Sequence, residues 1–322
     1  MSSRCPIALW LGVMLIFLKP PCGRAGVITL RTNDLIGLVG GSTWVAENES
    51  GVLETALKLA YPAHALRIRN LAKEGDTVYA QPREVNYPTL PEQVSKVGAT
   101  VVFVQFGQTE ALEGAARLTD FKQNYGKLLE TLSRITPRIV LITPPAFERA
   151  PPPLPDLELR NPVLEQYVRV IRELARVRNL PLIDEFAAVP NFGGSTHRRT
   201  LDGLQLTAAG AAHAAAVVVR ALGFESLAAS VELDEGGVLG AGPARKLRAA
   251  VIEKDRLWFE FVRPTNWAFL GGDRTDQLSS RDHRDPKVRW FPKEMEQFQP
   301  LIAEADRGID SLAREAATTS LR

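Results

Sequence analysis

The chain of 322 residues contains two cysteines, and both, Cys5 and Cys22, stand within its first 25 positions. Beyond them there is no thiol nucleophile, no disulfide framework and no cysteine to hold a metal. Histidine is scarce as well. The four present are His64, His197, His213 and His283, with no His-x-x-x-His pair among them, so no metal site is expected. An excess of one charge is also missing. Lys and Arg number 39 against 37 Asp and Glu, for a formal charge of +2, which provides no electrostatic footprint for nucleic acid. Gly37, Gly40 and Gly41 do not form Gly-x-Gly-x-x-Gly, so no dinucleotide, and no other cofactor, is expected.

Long apolar runs are limited to one, Pro6 to Leu18, which is shorter than the roughly 20 residues a bilayer span needs. Arg4 precedes it, and Gly23-Arg24-Ala25 places small residues where a signal peptidase cuts. The expectation is a secretory signal peptide over 1–25, cleaved after Ala25. An uncleaved anchor and a lipoprotein attached at Cys22 are weaker readings, since Lys19-Pro20-Pro21 precedes that cysteine. The mature chain would then hold no cysteine and no integral membrane span, as suits a bacterial periplasmic or extracellular protein.

What remains alternates. Apolar runs at 34–39, 66–71, 100–106, 138–143 and 182–184 read as strands. Helical stripes at 51–60, 120–135, 161–174 and 207–222 lie between and after them. Val101-Val102-Phe103-Val104 is apolar without interruption, as in a strand covered on both faces. The pattern predicts an α/β fold of three layers, helices on either side of a parallel sheet of about five strands. Ligands of such sheets sit beyond the carboxyl ends of the strands. After 222 the pattern changes. Helical stripes at 243–261 and 301–312 flank a segment rich in Arg, Asp, Gly and Trp. The expected organisation is a leader at 1–25, an α/β domain at 26–222 and a helical extension at 223–322.

Four loops at the active edge carry a further pattern. They read Gly40-Gly41-Ser42, Asn70 through Gly75-Asp76, Gly107-Gln108-Thr109-Glu110 and Asp202-Gly203-Leu204-Gln205. In order and placement these resemble the four blocks of the SGNH (GDSL-type) hydrolase family, over roughly 34–222. The similarity is greatest to exported bacterial members with a C-terminal extension. The resemblance implies a flavodoxin-like core and ester hydrolysis through an acyl-serine, often on acylated carbohydrates. It also implies roles by position. Ser42 matches the nucleophile, and Gly75 the glycine whose N–H donates to the oxyanion. Asp202 matches the acid that orients the base. Thr109 stands in place of the oxyanion-binding Asn, and Gln205 in place of the catalytic His.

A serine hydroxyl needs a base to become a nucleophile, and a glutamine amide is not one near neutral pH. The leading expectation is a protein that keeps the family pocket but has lost or strongly altered the family activity. It would then bind a small-molecule ester or carbohydrate ligand. One alternative is an active hydrolase whose base is His283, from the polar run 279–286, or His197, on the correct sheet edge. Another is a structural or partner-binding protein that uses the extension as its interface. His64 falls on the wrong edge, and His213 inside the last core helix reads as a packed residue. Trp258, Trp267 and Trp290 read either as core of the extension or as platforms for sugar faces.

Overall fold

A computed structural model describes residues 29–188, 198–233, 239 and 242–319. The expected leader at 1–25 and His197 lie outside the described residues. Five parallel strands form one sheet: β1 (Leu35–Gly40), β2 (Arg67–Asn70), β3 (Val101–Gln105), β4 (Ile139–Ile142) and β5 (Leu182–Ile183). Their order is β2-β1-β3-β4-β5. Around them lie α1 (Ser42–Val45), α2 (Glu47–Ser50), α3 (Val52–Ala60), α4 (Leu90–Val97) and α5 (Gln108–Ala111). The chain continues through α6 (Leu118–Ser133), α7 (Asn161–Arg178), α8 (Ala208–Ala221) and α9 (Glu225–Leu233). Beyond these come α10 (Gly242–Val262), α11 (Trp267–Leu270), α12 (Trp290–Glu296) and α13 (Phe298–Thr319). The three-layer α/β core and the helical C-terminal part are as the sequence predicts.

Alternate residues along a strand face opposite sides, and the core divides accordingly. Ile36, Leu38, Val101, Phe103, Val140 and Ile142 join one apolar cluster with α3 and the alanine- and valine-rich α8. Val39, Val102, Val104, Ile139 and Leu141 join the other, with Phe121, Tyr125, Tyr167 and Ile171 of α6 and α7. Helix α9 lies past 222, yet its Ala228 and Val231 complete the first cluster. The extension is therefore not separate from the core at its start. Helix α4 is not among the stripes read from the sequence. It starts with a capping box in which Thr89 and Glu92 satisfy each other's backbone N–H groups.

An unpaired edge strand invites association. The β2 edge is covered by α10 and α13, which hold it mainly through charge. Lys254 of α10 is fully buried and lies 2.5 Å from both Glu54 of α3 and its own neighbour Asp255. Asp310 of α13 pairs with Lys58 at 2.6 Å and with Arg67 at 2.8 Å. Asp306 pairs with Arg69 at 2.5 Å. The Trp258 indole N–H donates to the Asn70 carbonyl at 2.7 Å. Leu247, Val251, Ile309 and Ala313 close the seam between the two long helices.

Candidate functional site

The carboxyl ends of β1 and β3 deliver the first and third loops to one point. A Cβ on Gly40 would collide with the Gln105 carbonyl and come within 2.8 Å of the Trp44 ring, so only glycine lets these strands end side by side. The chain turns at Gly41 and starts α1 with Ser42, which is half-buried. Among the described residues the Ser42 hydroxyl has no hydrogen-bond partner. Thr109 comes from the facing loop, its Oγ1 3.8 Å from where a Gly41 Cβ would lie. Ser42, Thr109, Asp76, Gln105 and Gly107 line a shallow depression of only about 10 Å³.

Glu110 holds the loops around this depression. Its carboxylate accepts the Gly107 N–H at 2.7 Å and the Val78 N–H at 2.9 Å, tying the third block to the second. Burial pushes its carboxyl up to about 7, against the pull of those N–H donors. Gly107 makes the turn with φ 118°, a conformation glycine tolerates at no steric cost. Asn70 provides a second tie. Its side chain donates to the Trp44 carbonyl at 2.5 Å and accepts the Ala72 N–H at 3.1 Å. Gln105 provides a third, donating to the Thr143 carbonyl at 3.0 Å and to Glu185 at 2.6 Å across the ends of β3, β4 and β5. Burial pushes the Glu185 carboxyl up to about 7 as well.

The other residues marked by the sequence are placed differently. Gly75 is exposed, at φ 74°, and does not line the depression, although its neighbour Asp76 does. Salt bridges flank it on both sides: Glu74 with Arg263 at 2.7 Å, and Asp76 with Arg83 at 2.7 Å. Asp202 and Gln205 are also absent from the lining. The Asp202 carboxylate accepts the backbone N–H groups of Leu204 at 2.9 Å and Gln205 at 2.7 Å, closing its own turn. Gln205 is exposed on that turn. Glu148 pins the base of the turn by accepting from Arg199 and Thr200.

No imidazole among the described residues lines the depression. His213 is buried in α8 with its Nδ1 2.8 Å from Glu232, and burial lowers its pKa. His64 packs edge-on against Tyr61 at 5.0 Å, before β2 and so at the opposite end of the sheet. His283 is 83% exposed beside Asp282. Its segment reaches the core elsewhere, through Trp267, which donates to the Val85 carbonyl at 2.8 Å. No described residue of the extension lines the depression. No group of three or more His, Cys, Asp or Glu among the described residues is arranged to hold a metal ion. No helix among them is long and apolar enough to cross a membrane.

The spacing of the blocks located Ser42, Thr109 and the turn of Asp202 and Gln205. It did not single out Glu110, Asn70 or the Gln105–Glu185 pair as the ties that shape the site. Glu110 and Asn70 lie inside the quoted blocks, so the signal was at hand. Gln105 and Glu185 are 80 positions apart and meet only through the strand order.

Comparison with known proteins bears on the same loops. A search of curated protein sequences returned no match. Among solved structures, the acetylxylan esterase Axe2 from Geobacillus stearothermophilus is similar at TM-score 0.48 and 19% identity, covering 62% of this chain and 98% of that one. A lipase/acylhydrolase from Enterococcus faecalis is similar at TM-score 0.46 and 23% identity, covering 58% and 94%. A gut microbial diltiazem-metabolizing enzyme, BT4096, is similar at TM-score 0.47 and 17% identity, covering 62% of this chain and 49% of that one. The chain thus spans about half of that enzyme's length. The profile of the GDSL-like lipase/acylhydrolase family matches residues 38–213, from the strand that delivers Ser42 to the helix that follows Gln205. Over that span, more than half its length, this chain belongs to the GDSL-like lipase/acylhydrolase family.

Proposed function

We propose that this chain is a family member in which Ser42-dependent ester hydrolysis is lost or strongly reduced, leaving a ligand-binding role in an exported compartment. The observation that carries the reading is the set of side chains around Ser42, which among the described residues contains no imidazole, its carboxylates Asp76 and Glu110 being engaged by Arg83 and by backbone N–H groups. The family position for the catalytic histidine is Gln205, exposed on a turn outside the depression. Its acid partner, Asp202, spends its carboxylate on backbone N–H groups of that turn.

Magnitudes favour loss over mere attenuation. Breaking a Ser–His unit costs on the order of a million-fold in turnover. Losing one oxyanion donor costs roughly a hundred- to a thousand-fold. Thr109 presents one hydroxyl where the family has a longer amide, and a hydroxyl can supply a donor only if it reaches the oxyanion. The two losses need not multiply, but the first alone removes esterase activity of ordinary size. A depression of about 10 Å³ holds no more than a water molecule. An ester or sugar at Ser42 would rest over the depression rather than within it. The test is labelling by a serine-directed fluorophosphonate. Native protein is expected to label no faster than Ser42→Ala, and rapid Ser42-specific labelling would overturn the reading.

A further inference from the structure

A second cavity, of about 590 Å³, opens on the seam between the α/β core and the extension. We propose that it is a binding site for an apolar small molecule of no net charge, with a ring or hydrocarbon body and at most one polar end. This names a site and a ligand class for the binding role proposed above, and it does not depend on the chemistry of Ser42.

The volume falls within the range of about 300–1,000 Å³ typical of small-molecule pockets. The walls are Trp258, Phe261, Trp267, Leu270 and Ile302 from the extension, facing Leu71, Tyr87 and Val97 from the core. The polar atoms of these walls point away to protein partners. The Trp258 N–H donates to the Asn70 carbonyl at 2.7 Å and the Trp267 N–H to the Val85 carbonyl at 2.8 Å. The Tyr87 hydroxyl donates to the Val262 carbonyl. The Gln93 amide donates to the Pro88 carbonyl at 2.9 Å, and the Arg69 guanidinium is held by Asp306 at 2.5 Å. Apart from the exposed Gln299, Lys96 and Glu296, ring faces and aliphatic carbons are what the walls offer an occupant.

Two consequences follow. A sugar is a poor fit, because its hydroxyls would lose water without gaining partners, at a cost of about 1–3 kcal/mol for each one left unpaired. An apolar body fits well. The space would hold roughly 20 waters at about 30 Å³ each, most of them against surface that cannot hydrogen-bond. Releasing them is the favourable term in binding apolar groups. The polar end is constrained too. Lys96 and Glu296 both line the cavity and both are exposed, so they stand at its mouth with opposite charges. Their fields oppose, which favours neither an anionic nor a cationic head.

The test uses the full chain and the neutral arylamine N-phenyl-1-naphthylamine, whose emission rises in apolar surroundings. Saturable binding of one probe per chain is expected at micromolar concentration, with tryptophan emission falling in step because Trp258 and Trp267 line the site. Ala303 lines the cavity from α13 and is exposed, so Ala303→Trp narrows the mouth with little threat to folding. It should weaken binding tenfold or more, and Ala303→Ser should not. Ser42→Ala should bind as the native chain does. Absence of saturable binding, or binding unaffected by Ala303→Trp, overturns the proposal. Binding abolished by Ser42→Ala also overturns it, by placing the ligand at the depression. None of these results touches the loss of ester hydrolysis, which the fluorophosphonate experiment decides separately.

Discussion

Replacing Lys254 with methionine is the perturbation that most severely tests how the extension is attached. Methionine is close to lysine in length and fills the same space without its charge. Lys254 is fully buried, and its ammonium is the cation facing Glu54 and Asp255, each 2.5 Å away. Burial already pushes the Asp255 carboxyl upward even with that cation in place. Glu54 is fully buried, and its Oε1 has no hydrogen-bond partner. Lys254→Met thus leaves two carboxyls in the seam with no cation at this point. Removing one partner of a buried ion pair costs about 3–5 kcal/mol. At about 1.5–2 °C per kcal/mol for a chain of this length the melting temperature should fall by roughly 5–10 °C. Urea unfolding followed by tryptophan fluorescence would report it. The deficit should depend on pH with a definite sign. Burial already raises the Asp255 carboxyl, so without the cation it takes up a proton as pH falls and the deficit shrinks in acid. The triple variant Lys254→Met, Glu54→Gln, Asp255→Asn should recover much of the loss at neutral pH. A deficit below about 1 kcal/mol, the size of an exposed pair, would refute the account of a buried ionic seam.

Glu110 and Glu185 give a second pH signature. Burial pushes both up to about 7 from the ordinary 4.5, so the stability their protonation contributes is full below about 4.5 and is lost as pH rises through about 7. Glu185→Gln should flatten the decline between those limits in a pH series of urea midpoints, and an unchanged slope would show that the carboxyl is ionised throughout. The variant Gln205→His with Thr109→Asn should acquire slow Ser42-dependent fluorophosphonate labelling, well short of a family esterase because position 205 is exposed outside the depression; no labelling in folded protein would mean that the blocks are wrongly aligned or that position 205 does not reach Ser42. Protein recovered from its native host should begin at Gly26, and recovery of the intact Met1 chain from the cytosol would end the proposal of export.

Much of the fold is written in local pattern. Val101 through Val104 and Ile139 through Ile142 are apolar on both faces because helices cover both, and such runs leave little else to predict. Helix α4 was missed because its apolar stripe is short, although Thr89, Pro91 and Glu92 spell out its start. The seam was not legible in physical terms. Lys254 sits on the apolar face of α10, where a lone lysine reads as an edge residue, and its partner Glu54 is 200 positions away. In the site, motif order placed Ser42 beside Thr109, since both follow strands that pair directly. It could not foretell that the turn of Asp202 and Gln205 would be held by Glu148 outside the depression, because that contact spans more than 50 positions. His283 illustrates the same limit from the other side. Its polar surroundings looked like a site, and the structure leaves it 83% exposed.

The measurement that bears most directly on the central claim is steady-state hydrolysis of p-nitrophenyl acetate by the native chain, with Ser42→Ala prepared alongside and both shown to be folded. The account predicts indistinguishable rates, both near the uncatalysed background, because no imidazole among the described residues lines the depression that holds Ser42. Turnover of about 1 per second or more, in the range of ordinary enzymes, that disappears in Ser42→Ala would contradict it.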